Sequence, residues 1–274
     1  MARQGTLAVV GIGPGSEEHL TPAARRAIAG AETVVGYGAY LDLVAPLLEG
    51  KALVRGRMTG EVERVAEAVA RARAGARVAL VSSGDAGVYG MASLALETLR
   101  AAGWRQGDAP ALTVVPGVTA LLACAARVGA PLGHDFCAVS LSDLLTPWPV
   151  VARRLEAAGA GDFVVGLYNP ASARRRRPLE AAREILLRHR APGTPVAVVT
   201  AVDRAEERVA LGDLAGLLDL EVGMTSTVIV GSSRTVRWEG LLLTPRGYSD
   251  KYLPDGAPRP GERPGAPRAG GERP

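Results

Sequence analysis

Residues 9–40 read VVGIGPGSEEHLTPAARRAIAGAETVVGYGAY. An apolar strand, Leu7–Val10, runs into Gly11, Ile12, Gly13, Pro14 and Gly15, and a helical pattern follows. That is the outline of a nucleotide-binding unit, where a glycine-rich turn joins a strand to a helix. The details depart from a dinucleotide fingerprint. G-x-G-x-x-G uses its third glycine to bring helix and strand together, and Ser16 stands in that place. Pro14 removes one peptide N–H that a phosphate would use. The helix is predicted to start later, with Thr21 as N-cap and Pro22 in its first turn. The second strand, in TVVGYGAY, lacks an acidic residue at its end to take a ribose; Glu32 lies before it. No Gly-Lys-Ser/Thr follows the loop, which excludes a P-loop. These departures argue against NAD(P) and leave open a plain tight turn made by glycines.

Working outward, 274 residues make one large α/β domain or two of ordinary size. The 47% hydrophobic share, mostly Ala, Val and Leu, is enough for real cores. No run approaches the length of a membrane span, and the amino terminus has no secretory pattern. Cys124 and Cys137 form neither a disulfide framework nor a Cys-x-x-Cys metal site, and Cys124 falls on the apolar side of a helix. The expected setting is the reducing cytoplasm, with no membrane partner. The formal charge is a modest +4. The final stretch, PDGAPRPGERPGAPRAGGERP, has almost nothing to bury and is expected to be a disordered tail from about Pro254.

Apolar β-branched runs alternate with helical patterns. Strands are expected at Leu7–Val10, Thr33–Val35, Ala52–Val54, Arg77–Val81 and Leu112–Val115, and the helix EVERVAEAVARARAG is expected to bury Val62, Val65 and Val69. This is the pattern of a mainly parallel sheet covered on both faces. Later strands read FCAVSL, DFVVGLY, PVAVVTAV, RVALGDL and STVIVGSS, with a helix near Pro178–His189. RVALGDL follows PVAVVTAV too closely for a long helix, so the second sheet should be mixed. The fold class is α/β, with two α/β domains and an active-site cleft between them. The expected divisions are 1–117, 118–245 and a largely disordered extension over 246–274. Ligands in such sheets bind beyond the carboxyl ends of strands. The loops there are GIGPGS, SSGDAGVYG, PGVTA, YNPAS and TAVDR.

These segments, in this order, resemble the tetrapyrrole methylase family over nearly everything from Leu7 to Tyr252. The opening GIGPGS with HLT, and SSGDAGVYG and PGVTA, are broad features of that family. GAPLGHDFCAVSLSDLLTPW, LYNPAS, MTSTVIVGSS and TPRGYSDKY point to its ring-contracting branch in cobalamin synthesis, which methylates carbon 17 of a precorrin. The resemblance implies S-adenosylmethionine as cofactor, a tetrapyrrole substrate and a homodimer. That cofactor has no phosphate, so Pro14 ceases to be an anomaly. The resemblance carries Pro14, Ser83, Gly84, Asp85, Val88, Thr119 and Ala120 into the cofactor site, together with Tyr168, Asn169, Val202, Thr225 and Thr227. Gly13, Arg174 and Arg175 are candidates for substrate binding.

Each candidate has a plainer reading. Asp85 also suits an Asx-turn closing its loop. Thr119 also suits the cap of the helix ALLACAARVG. The run Arg174–Arg177 is either a solvated face or a grip on substrate carboxylates, and without stacking aromatics no nucleic-acid partner is expected. His134 is either a polar turn or a proton shuttle, with Asp143 as an alternative general base for ring contraction. No metal is expected, and two cysteines are too few for a Cys-ligated iron–sulfur cluster. A methylase acting at another precorrin position or on a ribosomal RNA ribose, and a nonenzymatic binding protein, are the competing readings.

Overall fold

The computed structural model describes residues 4–172 and 175–264. The chain divides into two compact units, Met1–Arg127 with Val199–Arg208, and Val128–Val198 with Val209–Pro274. The expected division at 117/118 thus falls about one helix early, because the helix after PGVTA groups with the first unit.

The first unit is built on five strands, β1 (Thr6–Gly11), β2 (Thr33–Tyr37), β3 (Ala52–Gly56), β4 (Arg77–Ser82) and β5 (Ala111–Val115). They form one sheet in the order β3-β2-β4-β1-β5, with every pair parallel. Its helices are α1 (Pro22–Gly30), the short α2 (Gly38–Asp42), α3 (Glu61–Arg73), α4 (Met91–Ala101) and α5 (Ala120–Arg127). The two-residue period of a strand divides the core. Leu7, Val9, Val35 and Leu80 pack against Val65, Ala68, Val69 and Ala72 of α3 and Ala95 and Leu99 of α4. Val10, Val34, Ala79 and Val81 pack against Ala24 and Ile28 of α1 and Leu41 of α2.

Helix starts and stops follow local chemistry. Thr21 caps α1 by accepting from the Ala24 N–H, with Pro22 at the first position where no N–H is needed. In α3, Glu61 and Glu63 lie in the first turn and Arg71 and Arg73 in the last, complementing the helix dipole. Val62 does not join the buried face: it is 64% exposed. Ala68 and Ala72 complete the stripe with Val65 and Val69, since three- and four-residue steps from Val65 lead to them. Cys124 is buried on α5.

The second unit contains β6 (Gly129–Ala130), β7 (Phe136–Ser140), α6 (Trp148–Ala160), β8 (Val164–Tyr168), α7 (Arg177–Leu187), β9 (Pro195–Thr200) and β10 (Arg208–Asp213). β11 (Ser226–Val230), β12 (Val236–Trp238), β13 (Leu241–Leu243) and α8 (Tyr248–Lys251) follow. The main sheet has the order β10-β9-β11-β8-β7; β7 and β8 are parallel, while β11 runs against β8. It is the mixed sheet that the spacing implied. Leu155 of α6 and Leu179 and Leu186 of α7 pack with Leu167, Val196 and Val228 in its core. Buried Arg190 donates to the carbonyls of Gly159 (2.7 Å) and Phe163 (3.1 Å) and pairs with Asp162 at 3.2 Å. Burial lowers its pKa, and Asp162 works in the opposite direction.

The extension is more ordered than its composition suggests. Asp250 of α8 pairs with Arg234, Tyr252 bridges to Pro258, and Arg259 donates to the carbonyls of Lys251 and Ser249. Counting apolar area misses such polar pairing. The final residues, 265–274, lie outside the described residues.

Candidate functional site

In the parallel sheet of the first unit all strands point the same way, so the loops after β1, β4 and β5 share one edge. These three strands are neighbours, and their loops meet backbone to backbone. Gly13 N–H donates to Gly84 O at 3.1 Å, and Gly84 N–H donates to Gly13 O at 2.8 Å. A Cβ on Gly11 would stand 2.7 Å from Gly84 O and 2.8 Å from Gly117 N. One on Gly117 would stand 2.2 Å from Gly84 O. Distances this short have no tolerated counterpart, so glycine is required at Gly11 and Gly117 by contact between loops. The Ile12 and Gly13 N–H groups are spent on Ser82 O and Gly84 O. Those two N–H groups are therefore not offered to a phosphate.

Asp85 ties this arrangement together. Its Oδ1 accepts from Gly87 N (2.7 Å) and Val88 N (3.1 Å), and its Oδ2 accepts from Gly117 N (2.9 Å). The Asx-turn is present, and the same carboxylate also fastens the loop after β4 to the loop after β5. Asp85 therefore shapes the cradle, while the exposed side chain of Val88 and the neighbouring Gly87 form its open surface. Thr119 O accepts from Leu122 N and Ala123 N, which places Thr119 at the start of α5, and Ala120 opens that helix.

Segment 199–208 completes the first unit's loop cluster, and sequence reasoning missed what it does. Arg204 Nε donates to Pro14 O at 3.0 Å, and its Nη2 to Ser83 Oγ at 3.4 Å. Asp203, whose side chain is 1% exposed, bonds His19 Nδ1 and Arg127 and accepts from Ser16 Oγ. Because a carboxylate only accepts, it holds the His19 proton on Nδ1. Ala201 (φ 50°) and Asp203 (φ 62°) occupy the left-handed region beside buried Val202, a local cost retained by these contacts. Over 180 positions separate Asp203 from His19, and no spacing rule links such residues.

In the second unit, β7 and β8 are parallel and their carboxyl ends adjoin. Antiparallel β11 places its start beside the end of β8, with Val228 opposite Leu167. Tyr168, Asn169, Thr225, Thr227 and Asp143 therefore gather at one end of the sheet. Asn169, in a left-handed conformation at φ 50°, donates through Nδ2 to Ser140 Oγ at 3.0 Å. Thr227 is buried and Thr225 exposed. His134 precedes β7, at the other end of the strand from Asp143. It accepts from its neighbour's N–H (Asp135, 2.8 Å) and lies 3.3 Å from that residue's carboxylate. This is the polar-turn reading; the structure does not bring His134 to the end of the sheet where Asp143 stands.

The arginine run is divided in role. Arg174 lies outside the described residues. Arg175 is a clamp, donating to Leu141 O (2.7 Å) and Asn169 O (2.8 Å) and standing 4.0 Å from Asp143. Those bonds use two of the five N–H groups of its guanidinium within the protein. Arg176 and Arg177 are exposed beside a cavity of about 440 Å³, lined also by Arg175, Asp143, Trp148 and Pro178. Burial pushes the Cys137 thiol up, with Arg190 opposing, so it supplies no thiolate at neutral pH. Among the described residues no trio of His, Cys, Asp or Glu gathers as a metal site, and no helix is long and apolar enough to cross a membrane.

Comparison with known proteins decides which family uses this cradle. The family model for tetrapyrrole (corrin/porphyrin) methylases matches residues 6–218. The chain belongs to the tetrapyrrole methylases. Among relatives of this methylase, a cobalt-factor III methyltransferase of Priestia megaterium is 47% identical over 91% of the chain. The chain spans only 46% of that protein's length. A probable cobalt-factor III C(17)-methyltransferase of Salmonella typhimurium is also 47% identical, over 89% of this chain and 99% of that protein. The crystal structure of the methyltransferase CobJ superposes with a TM-score of 0.81 at 38% identity, covering 88% of the methylase and all of CobJ. A uroporphyrin-III C-methyltransferase from Thermus thermophilus, complexed with S-adenosyl homocysteine, matches at TM-score 0.65 and 25% identity, over 83% of this chain and 97% of that one.

Proposed function

We infer that this methylase transfers a methyl group from S-adenosylmethionine to carbon 17 of precorrin-3B or of a cobalt-containing substrate such as cobalt-factor III, with ring contraction, in cobalamin biosynthesis. The observation that carries the reading is the glycine-sealed cradle, whose Ile12 and Gly13 N–H groups are bonded to loop carbonyls, found in a chain 47% identical to a probable cobalt-factor III C(17)-methyltransferase over nearly that protein's whole length. S-adenosylmethionine supplies an electrophilic methyl group on a sulfonium, and it carries no phosphate. Pro14, Ser83, Gly84, Val88, Thr119, Ala120 and Val202 would hold it from the first unit, with Asp85 setting the shape of the loops. Tyr168, Asn169, Thr225 and Thr227 are the contacts proposed from the second. The protein's share of methyl transfer is orientation of the acceptor carbon and exclusion of water.

Ring contraction needs loss of a proton from a hydroxyl on the bridging carbon. Asp143 is the proposed acceptor, since it stands at the ligand end of β7 while His134 does not. A homodimer is proposed as well. Val236 faces Leu243 and Trp238 faces Leu241 across β12 and β13, and all four are exposed, an apolar patch suited to a second copy. The function is tested by incubating the protein with methyl-labelled S-adenosylmethionine and either cobalt-factor III or precorrin-3B, followed by mass and NMR analysis of the pigment. One label at carbon 17 is expected. Label at another carbon, or on RNA alone, overturns the reading.

A further inference from the structure

The loop between β7 and α6 presents two leucines to solvent: Leu144 is 83% exposed and Leu145 98%. Their exposure is built in. The root of the loop is fixed by Arg175, which donates to Leu141 O, and by Leu141 N–H, which donates to Tyr168 O at 2.9 Å. Ser142 N–H donates to Ser140 Oγ at 3.3 Å, and Pro147 and Pro149 stiffen the far end. Contiguous apolar exposure marks a binding surface.

Asp143, next to this pair, and Trp148, three residues beyond it, line the cavity of about 440 Å³ that Arg175, Arg176 and Arg177 border. Asp143 lies toward the Arg175 clamp. No described residue pairs with the guanidinium of Arg176 or Arg177. An indole and two guanidinium groups without a partner among the described residues thus line one cavity, beside a loop that carries two exposed leucines. They suit a ligand that is a flat apolar ring with carboxylates on its rim.

We propose that this cavity is a subsite for a rim carboxylate of the tetrapyrrole, gripped by Arg176 and Arg177, with Leu144 and Leu145 against the apolar face of the macrocycle. The proposal rests on the methylase reading and names the residues that position its substrate. The subsite belongs to the second unit alone, and it assigns the carboxylate grip to Arg176 and Arg177, with Arg175 beside them bonded to Leu141 O and Asn169 O.

The test is direct binding without turnover. A stable polycarboxylic porphyrin and its methyl ester are titrated by absorbance against wild type, R176Q/R177Q, L144S/L145S and, as a charge control, R237Q, which lies on exposed β12. R176Q/R177Q should raise the Kd for the acid roughly tenfold, equivalent to ~1.4 kcal/mol, and leave the ester unchanged. Added salt should narrow that difference. L144S/L145S should weaken acid and ester alike, and R237Q neither. S-adenosylmethionine affinity and melting temperature should stay at wild-type values throughout. With cobalt-factor III as substrate, R176Q and R177Q should raise KM and leave kcat unchanged. Wild-type porphyrin affinity in R176Q/R177Q, equal losses for acid and ester in that variant, or no porphyrin binding by wild type would overturn the subsite. Failure of the methylase reading would appear separately, as absence of label transfer to cobalt-factor III by the unaltered protein.

Discussion

Gly117→Ala is the substitution that most directly tests whether the glycines serve contact between loops. Its Cβ would lie 2.2 Å from Gly84 O, 2.7 Å from Gly11 C and 2.8 Å from Gly11 O. All three are backbone atoms, so no rotamer change relieves the overlap. Two loops must move by roughly 1 Å to restore ordinary contact, and that movement pulls on Asp85, which holds the Gly117 N–H. Overpacking costs typically about 1–3 kcal/mol, and with backbone on every side the cost is placed at the upper end, ~3 kcal/mol. For a protein of this size that lowers the melting temperature by about 6–12 °C. Gly30→Ala is the contrast: nothing lies within 4 Å of its Cβ, and it ends α1, so stability should hold or rise by a few tenths of a kcal/mol or about 1 kcal/mol at most. Thermal unfolding by circular dichroism and calorimetry with S-adenosylmethionine measure both. If Gly117→Ala melts within a degree or so of wild type and binds the cofactor equally well, the loops are not sealed as described and the reasoning fails.

Asp85→Ala should weaken S-adenosylmethionine binding more than Asp85→Asn. The amide can still accept from Gly87 and Val88, but it turns a donor toward Gly117, and each orphaned N–H costs about 1–3 kcal/mol. Equal affinities for wild type and Asp85→Ala, by calorimetry, would remove Asp85 from the cradle. The Glu156 carboxyl is held below its ordinary value of 4.5, first by its hydrogen bond to His189 and then by that to Arg188. Being depressed, it contributes stability above that value and loses it as pH falls through the lower folded value. Glu156→Gln should therefore narrow the gap to wild type as a urea-unfolding series moves from neutral pH to below 4.5; a gap independent of pH removes the contribution. Trp238→Glu should shift a dimer to monomer in sedimentation, since it places a charge in the apolar patch; a monomeric wild type would end the dimer proposal.

Much of the fold was legible because strands and helices announce themselves through local periodicity. The apolar runs at Leu7–Val10 and Arg77–Val81, and the Thr21–Pro22 start of α1, depend on neighbours within a few positions. The same holds for the rejection of a dinucleotide loop, which needed only Ser16 and Pro14. The ordered glycine motifs also placed the chain in its family. Tertiary structure decided what those residues touch. The division of the arginine run, in which Arg175 bonds Leu141 O and Asn169 O while Arg176 and Arg177 border the same cavity without such bonds among the described residues, depends on which carbonyls the sheet brings within reach. His134 and Asp143 lie on either side of β7 in sequence, and because a strand rises about 3.3 Å per residue β7 carries them to opposite ends. His19 and Asp203 meet only because 199–208 folds into the first unit. Local chemistry is written in spacing along the chain, whereas hydrogen bonds between distant segments exist only once the chain has closed on itself.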